Sequence, residues 1–293
     1  MQEDVFSEEE VRLLARCGYA LMRIPDGDQN EARFFLECAA NAGDSEASLY
    51  LGLWLARMDV SGKRDESLAG SANYKEAISW LTRAGEQGIA EAWFAISRIY
   101  LKSEFSLRNL DESHGYLVKA AEAGYAAAQA ALGSWIWRSR KNDASKDVEA
   151  VYWLQLAAAQ GCDEAWPLLE KLASRAEPAS WALAAQQHLN EQAFRVPHVL
   201  MARVALAARF GLSVPEALLV DPDKADHGHC LEIDIRSHYA RGKRRLILVQ
   251  TPEDRQALDD MKRFLVGLDC SPDGPEGNYR QRLYRLKKLV PDQ

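Results

Sequence analysis

No run of about 18 consecutive apolar residues occurs in this chain, which excludes a membrane-spanning helix. Cysteine is scarce and odd in number: Cys17, Cys38, Cys162, Cys230 and Cys270, with no Cys-x-x-Cys pair. Three of them fall on helical patterns, and that usage reads as buried thiols in a reducing cytoplasm. His227-Gly228-His229-Cys230, with His238 and Cys270 beyond it, holds metal-ligand residue types but matches no ligand spacing, so no metal is expected. The first ten residues carry neither the basic segment nor the apolar core of a secretory leader, and a cytoplasmic location is expected. No complete catalytic set is found, so neither an enzyme nor a cofactor is expected.

What is present is a repeat. Phe35, Trp80, Tyr116 and Trp153 each precede a glycine by eight residues: Gly43, Gly88, Gly124 and Gly161. A leucine follows each aromatic (Leu36, Leu81, Leu117, Leu154), and alanine lies four residues before and four after each glycine. The glycines are 45, 36 and 37 residues apart, the period of a two-helix unit. Within one unit, Tyr116, Leu117, Ala120 and Ala121 share a helical face, and Gly124 supplies the residue that ends a helix in a left-handed conformation. A second helix follows with Ala128, Leu132, Gly133 and Ile136 inward. One pair cannot bury both of its faces, so neighbouring units must stack. Ser7 with Glu10 reads as a capping box opening an earlier helix through about Met22, with Cys17-Gly18 as half of a degenerate unit.

The Ala-Ala-x-x-Gly turns (Ala39-Ala40 to Gly43, Ala120-Ala121 to Gly124, Ala157-Ala158 to Gly161) and the pairs Leu51-Gly52 and Leu132-Gly133 resemble the Sel1-like repeat family, a relative of the tetratricopeptide repeats. The resemblance covers residues 31 to 172. The second unit departs from the pattern at Gly85 and Ser97, and the fourth at Glu170, as a terminal unit would. It implies a mainly α fold, an α/α solenoid of about four helix pairs, that binds a protein partner. Trp54, Trp93, Trp135, Trp137 and Trp166 lie outside the aligned aromatics and are the candidates for an exposed binding face.

Charge and pattern change towards the C-terminus. Residues 1 to 195 hold 20 Lys and Arg against 29 Asp and Glu, whereas residues 196 to 293 hold 16 against 14. The expected organisation is a repeat domain over 1–175, a connecting helix over 176–195 and a smaller α/β domain over 196–293. Val196 to Phe210 reads as an apolar helix ending at Gly211, and Leu212 to Val220 as a short one stopped by Asp221-Pro222. Residues 230–235 and 244–249 read as a β-hairpin turning near Gly242. Two further helices follow, from Thr251 to about Val266 and after Gly277.

Two nucleic-acid readings attach to this part. The spacing Ala207-x-x-x-Gly211-Leu212-Ser213 suits a helix-turn-helix, but its second helix is apolar and ends at Pro222, leaving nothing to read base edges. The segments around Phe210–Leu218, Pro222–Gly228, Arg241–Leu248 and Thr251–Leu258 resemble a fragment of the tyrosine recombinase catalytic domain. Glu216 and Lys243 match that family's pattern. Ser213 stands where its arginine belongs, and no His-x-x-Arg box follows His238, so the resemblance implies a catalytically dead fragment, with Tyr279 and Tyr284 left over. Arg241, Lys243, Arg244 and Arg245 are the candidate phosphate contacts on the hairpin. The expectation is a non-catalytic adaptor that grips a protein, with DNA binding by the hairpin, in a mobile-element factor, as the alternative.

Overall fold

The computed structural model describes residues 6–290 except 25–26, 67, 69, 142, 192–196, 266 and 272. The described chain divides into two compact units, residues 1–135 with 156–164 and residues 136–155 with 165–293. Compactness therefore divides the chain at other residues than composition does.

The first unit is built from helices α1 (Glu8–Arg23), α2 (Gln29–Asn41), α3 (Ser45–Ala56), α4 (Tyr74–Glu86), α5 (Ala90–Ile99), α6 (Leu110–Glu122) and the greater part of α7 (Ala126–Ser139). Residues 156–159 at the end of α8 (Ser145–Ala159) and most of the 3-10 turn (Asp163–Ala165) complete it, whereas the rest of α8 and α9 (Trp166–Leu172) belong to the second unit. Every repeat glycine sits between two helices with a positive φ: Gly43 at 102°, Gly88 at 99°, Gly124 at 91° and Gly161 at 81°. Each closes its helix identically. Its N–H donates to the carbonyl of the second small residue (Ala40, Gly85, Ala121, Ala158), and the next N–H donates to the first (Ala39, Ala84, Ala120, Ala157). The Ala-Ala-x-x-Gly spacing is thus a hydrogen-bonded helix ending, in which only glycine reaches the required backbone region without strain.

The leucines after the aligned aromatics explain the small residues of the neighbouring helix. Leu36 and Leu81 are fully buried. A Cβ on Gly18 of α1 would lie 2.8 Å from Leu36 Cγ, and one on Gly52 of α3 would lie 2.6 Å from Leu81 Cγ. Each leucine therefore fills the notch left by a glycine one helix earlier, and the backbones approach closely. Helix α1, capped by Ser7 and Glu10 as expected, supplies the first such notch, so it belongs to the stack. At the variant second unit the missing methyl of Gly85 is replaced by the Trp93 ring, which a Cβ there would overlap. Ser97 is buried with its hydroxyl donating to Phe94 O.

In the second unit a three-stranded sheet has the order β1-β3-β2. Strand β2 (Cys230–Ile233) pairs antiparallel with β3 (Arg245–Leu248), placing Cys230 opposite Leu248 and Ile233 opposite Arg245. Strand β1 (Ala173–Ser174) adds in parallel to β3, a pairing too short to leave a sequence pattern. The hairpin exists where expected, but residues 234–244 join its strands, a longer loop than a tight turn at Gly242. Around the sheet lie α10 (Ser180–Glu191), α11 (His198–Phe210), α12 (Val214–Leu219), α13 (Pro222–Ala225), α14 (Pro252–Leu265) and α15 (Tyr279–Leu289). The ends expected of the connecting helix at 192–195, of α11 at Val196 and of α14 at Val266 lie outside the described residues. The core holds Phe210, Leu212, Leu218, Leu231, Ile233, Ile247, Leu258 and Leu286.

Candidate interaction surfaces

The first glycine spacing, 45 residues against 36 and 37, has a structural counterpart. The connection from α3 to α4 spans residues 57–73, whereas residues 100–109 suffice from α5 to α6 and 140–144 from α7 to α8. The described residues of the long connection are held by bonds of their own. Arg57 ends α3 in a left-handed conformation (φ 52°), Met58 pairs with Arg64 as an isolated antiparallel bridge, and Asp59 Oδ1 accepts from Ser61 Oγ and the Lys63 N–H. Farther along, Asn73 N donates to Leu55 O and returns the chain to α3.

This loop walls a groove of about 650 Å³. Met58, Asp59, Val60, Asp65 and Leu68 come from the loop, Tyr19, Met22 and Ile24 from the end of α1, and Tyr50, Leu53 and Trp54 from α3. Tyr19 and Tyr50 stack with ring centroids 4.2 Å apart. Trp54 forms the floor, its Nε1 donating to Gln29 Oε1 at 2.9 Å. The Arg57 guanidinium lies 4.2 Å from the Trp54 ring. Its Nε is buried without a hydrogen-bond partner, and burial draws its pKa below the usual arginine value. Half-buried tyrosine, methionine and leucine at the mouth suit an apolar guest whose shape is not fixed in advance.

The five tryptophans do not form one exposed face. Trp54 is only 7% exposed, because its ring fills the space under the groove. Trp93 is half-buried against Gly85 and stacks on Tyr116 at 5.8 Å, under Lys119 Nζ. Trp137 is half-buried beneath Arg140 and Lys171, and Trp166 beneath Arg175. Trp135 is 45% exposed, with the His114 ring stacked on it at 3.8 Å. Sequence reasoning missed Tyr19, Tyr50 and Val60; the signal that marks them is the anomalous 45-residue spacing.

The basic hairpin is also corrected. Arg244 is turned inward, Nε to Glu232 at 2.6 Å, one terminal nitrogen to Asp147 at 3.0 Å and the other to the Ala144 carbonyl. Arg245 forks onto Glu216 with two bonds of 2.9 Å and also donates to the Gly211 carbonyl. Glu216 closes a capping box with Ser213 as well. Burial opposes its ionisation, but Arg245 and the Ser213 N–H prevail and hold its pKa below the usual value of 4.5. Both arginines are thus spent inside the unit, because the sheet brings acids from distant segments beside them. Arg241 and Lys243 stay exposed.

His227, His229 and Cys230 are likewise engaged in structure. His227 Nε2 meets Glu232, and the ring nitrogens of His229 face the carbonyls of His227 and Val148. No group of three or more metal-ligating side chains gathers among the described residues. Cys230 is buried, which raises its thiol to about 12. Against expectation Cys17 is exposed, and Cys38 and Cys162 are half-buried. Among the described residues, no helix is long and apolar enough to cross a membrane.

Comparison with known proteins places the repeats. The family model for the Sel1 repeat matches residues 15–44, 64–89, 90–125 and 126–162, beginning inside α1 and stopping at the turn after α8. No functionally curated protein matches the chain. Among solved structures, a Sel1 repeat protein from Oxalobacter formigenes is 23% identical with a TM-score of 0.44, over 58% of this chain and 65% of that one. A protective antigen of uropathogenic Escherichia coli strains, described as displaying an SLR fold, is 18% identical with a TM-score of 0.42, over 96% of this chain and 54% of that one. The chain thus spans less than two thirds of the length of either. The recombinase resemblance rests on the sequence segments alone.

Proposed function

We propose that this protein, which carries four Sel1 repeats, is a non-catalytic adaptor whose first unit holds a polypeptide segment in the groove beside α1 and α3. Sel1-repeat proteins generally mediate protein–protein interaction, and the groove gives that role a place on this chain. The observation that carries the reading is the long α3–α4 connection. It contributes Met58, Val60 and Leu68 to the groove wall, and the spacing of the later repeats is met without any such insertion. Asp59, exposed on the loop, lines the same groove, so its complement is an apolar segment with lysine or arginine beside it.

Selection from a random peptide library on the whole chain tests this. Peptides rich in aliphatic side chains and lysine or arginine are expected to compete with one another for one site. Ile24→Glu and Val60→Glu, on partly exposed groove residues, should each weaken them at least about tenfold, since each buries an unpaired charge. Selected peptides indifferent to both substitutions would refute the groove.

A further inference from the structure

Ten cations stand in two stretches of the C-terminal part, Arg236, Arg241, Lys243, Arg244 and Arg245, then Arg280, Arg282, Arg285, Lys287 and Lys288, and they divide into two classes that the sequence does not distinguish. Arg244, Arg245 and Arg282 are consumed internally. Arg236 pairs with Asp234, and Arg282 is 2% exposed with bonds to the carbonyls of Gly277, Leu218, Cys270 and Ser271. Arg285 donates to the Glu276 carbonyl. The other five, Arg241, Lys243, Arg280, Lys287 and Lys288, are exposed and have no ion pair among the described residues.

Three of these share one helical face. At about 100° per residue, Arg280, Tyr284, Lys287 and Lys288 fall within one third of the circumference of α15, while Arg282, Leu286 and Val290 face the core. Tyr239 stands edge-on to Tyr279 at 5.3 Å, which brings the loop bearing Arg241 and Lys243 to the start of the same helix. Tyr284, in the middle of the cations, is 70% exposed, the most exposed aromatic among the described large hydrophobics. Asp273 and Glu276 line a concavity together with Arg280, Tyr284 and Arg285, and Glu276 is paired with Arg203 and Arg282.

We propose that this face of α15 binds single-stranded nucleic acid, with Arg280, Lys287 and Lys288 on phosphates and a base stacked on Tyr284. A cationic surface interrupted by an exposed ring is the arrangement that tracks an unpaired strand, because stacking needs an accessible base face. A lipid surface fits less well: an interfacial helix offers its apolar side to the membrane, and Leu283, Leu286 and Leu289 are turned into the protein. The site differs from the hairpin contacts, two of which are internal ion pairs.

Fluorescence anisotropy with a labelled 20-mer of thymidylate, a duplex of equal length and vesicles containing phosphatidylserine tests the assignment. The intact chain should bind the single strand more tightly than the duplex. The triple variant Arg280→Gln/Lys287→Gln/Lys288→Gln should flatten the salt slope by about 2, at about 0.7 per phosphate contact. A charge-matched control, Lys63→Gln/Arg108→Gln/Arg138→Gln, should leave the slope unchanged. Tyr284→Ala should weaken binding about tenfold without altering the slope. All substituted side chains are exposed, so thermal unfolding should not change. No binding at low salt, equal loss in the control, or binding to vesicles in place of the strand would overturn the proposal.

Discussion

Arg203 shows how little a residue's type says about its role. It is 1% exposed, forks onto Glu276 at 2.9 and 2.5 Å, and donates to the carbonyls of Ala217 and Val220. Nothing in its apolar helix announces that partner, 73 residues away in sequence. The same holds for Arg244 and Arg245, which the sequence offers as free cations. Charge sign is legible in a sequence; charge partnership is a long-range contact and is not. Glu216 carries a testable consequence. Its pKa is depressed in the folded state, so the stability it adds is present above about pH 4.5 and is lost as pH falls through the lowered value. Glu216→Gln should therefore lower the stability of the second unit by about 2 kcal/mol at pH 7, the scale of hydrogen bonds to a charged group. The difference from wild type should be smaller at about pH 3. Urea unfolding at the two pH values measures it, and a pH-independent difference would contradict the ion pair's role.

At the scale of elements, helices were readable because their period and their endings are local. The glycine endings, the capping box at Ser7 and the ends of α11 and α12 all follow from neighbouring residues. Strand β1 was not readable, since two residues paired to a strand some 70 positions later leave no local trace. The groove was half legible: the 45-residue spacing was visible, but its meaning required the loop's fold. Two glycines separate the forces at work. A Cβ on Gly124 would meet nothing within 4 Å, so Gly124→Ala should cost only backbone strain, about 1 kcal/mol. Gly52→Val would press on Leu81 across the helix crossing, and overpacking adds a cost of about 1–3 kcal/mol. Thermal melts should rank Gly52→Val as the more damaging. The reverse order would mean that the leucine notch does not set the helix spacing.

At the scale of the whole molecule, the two ends of the chain differ in charge. The first 195 residues are acidic and the remainder slightly basic, which suits two surfaces with different ligands. The repeat fold was legible because four units restate one pattern, while the loop that walls the groove departs from it. The most direct test of the adaptor reading is site-specific photocrosslinking. A photoreactive residue placed at Val60 should capture a selected library peptide, and one placed at Trp135, the exposed tryptophan of the same unit, should not. Capture at Trp135 with none at Val60 would contradict the groove as the binding site.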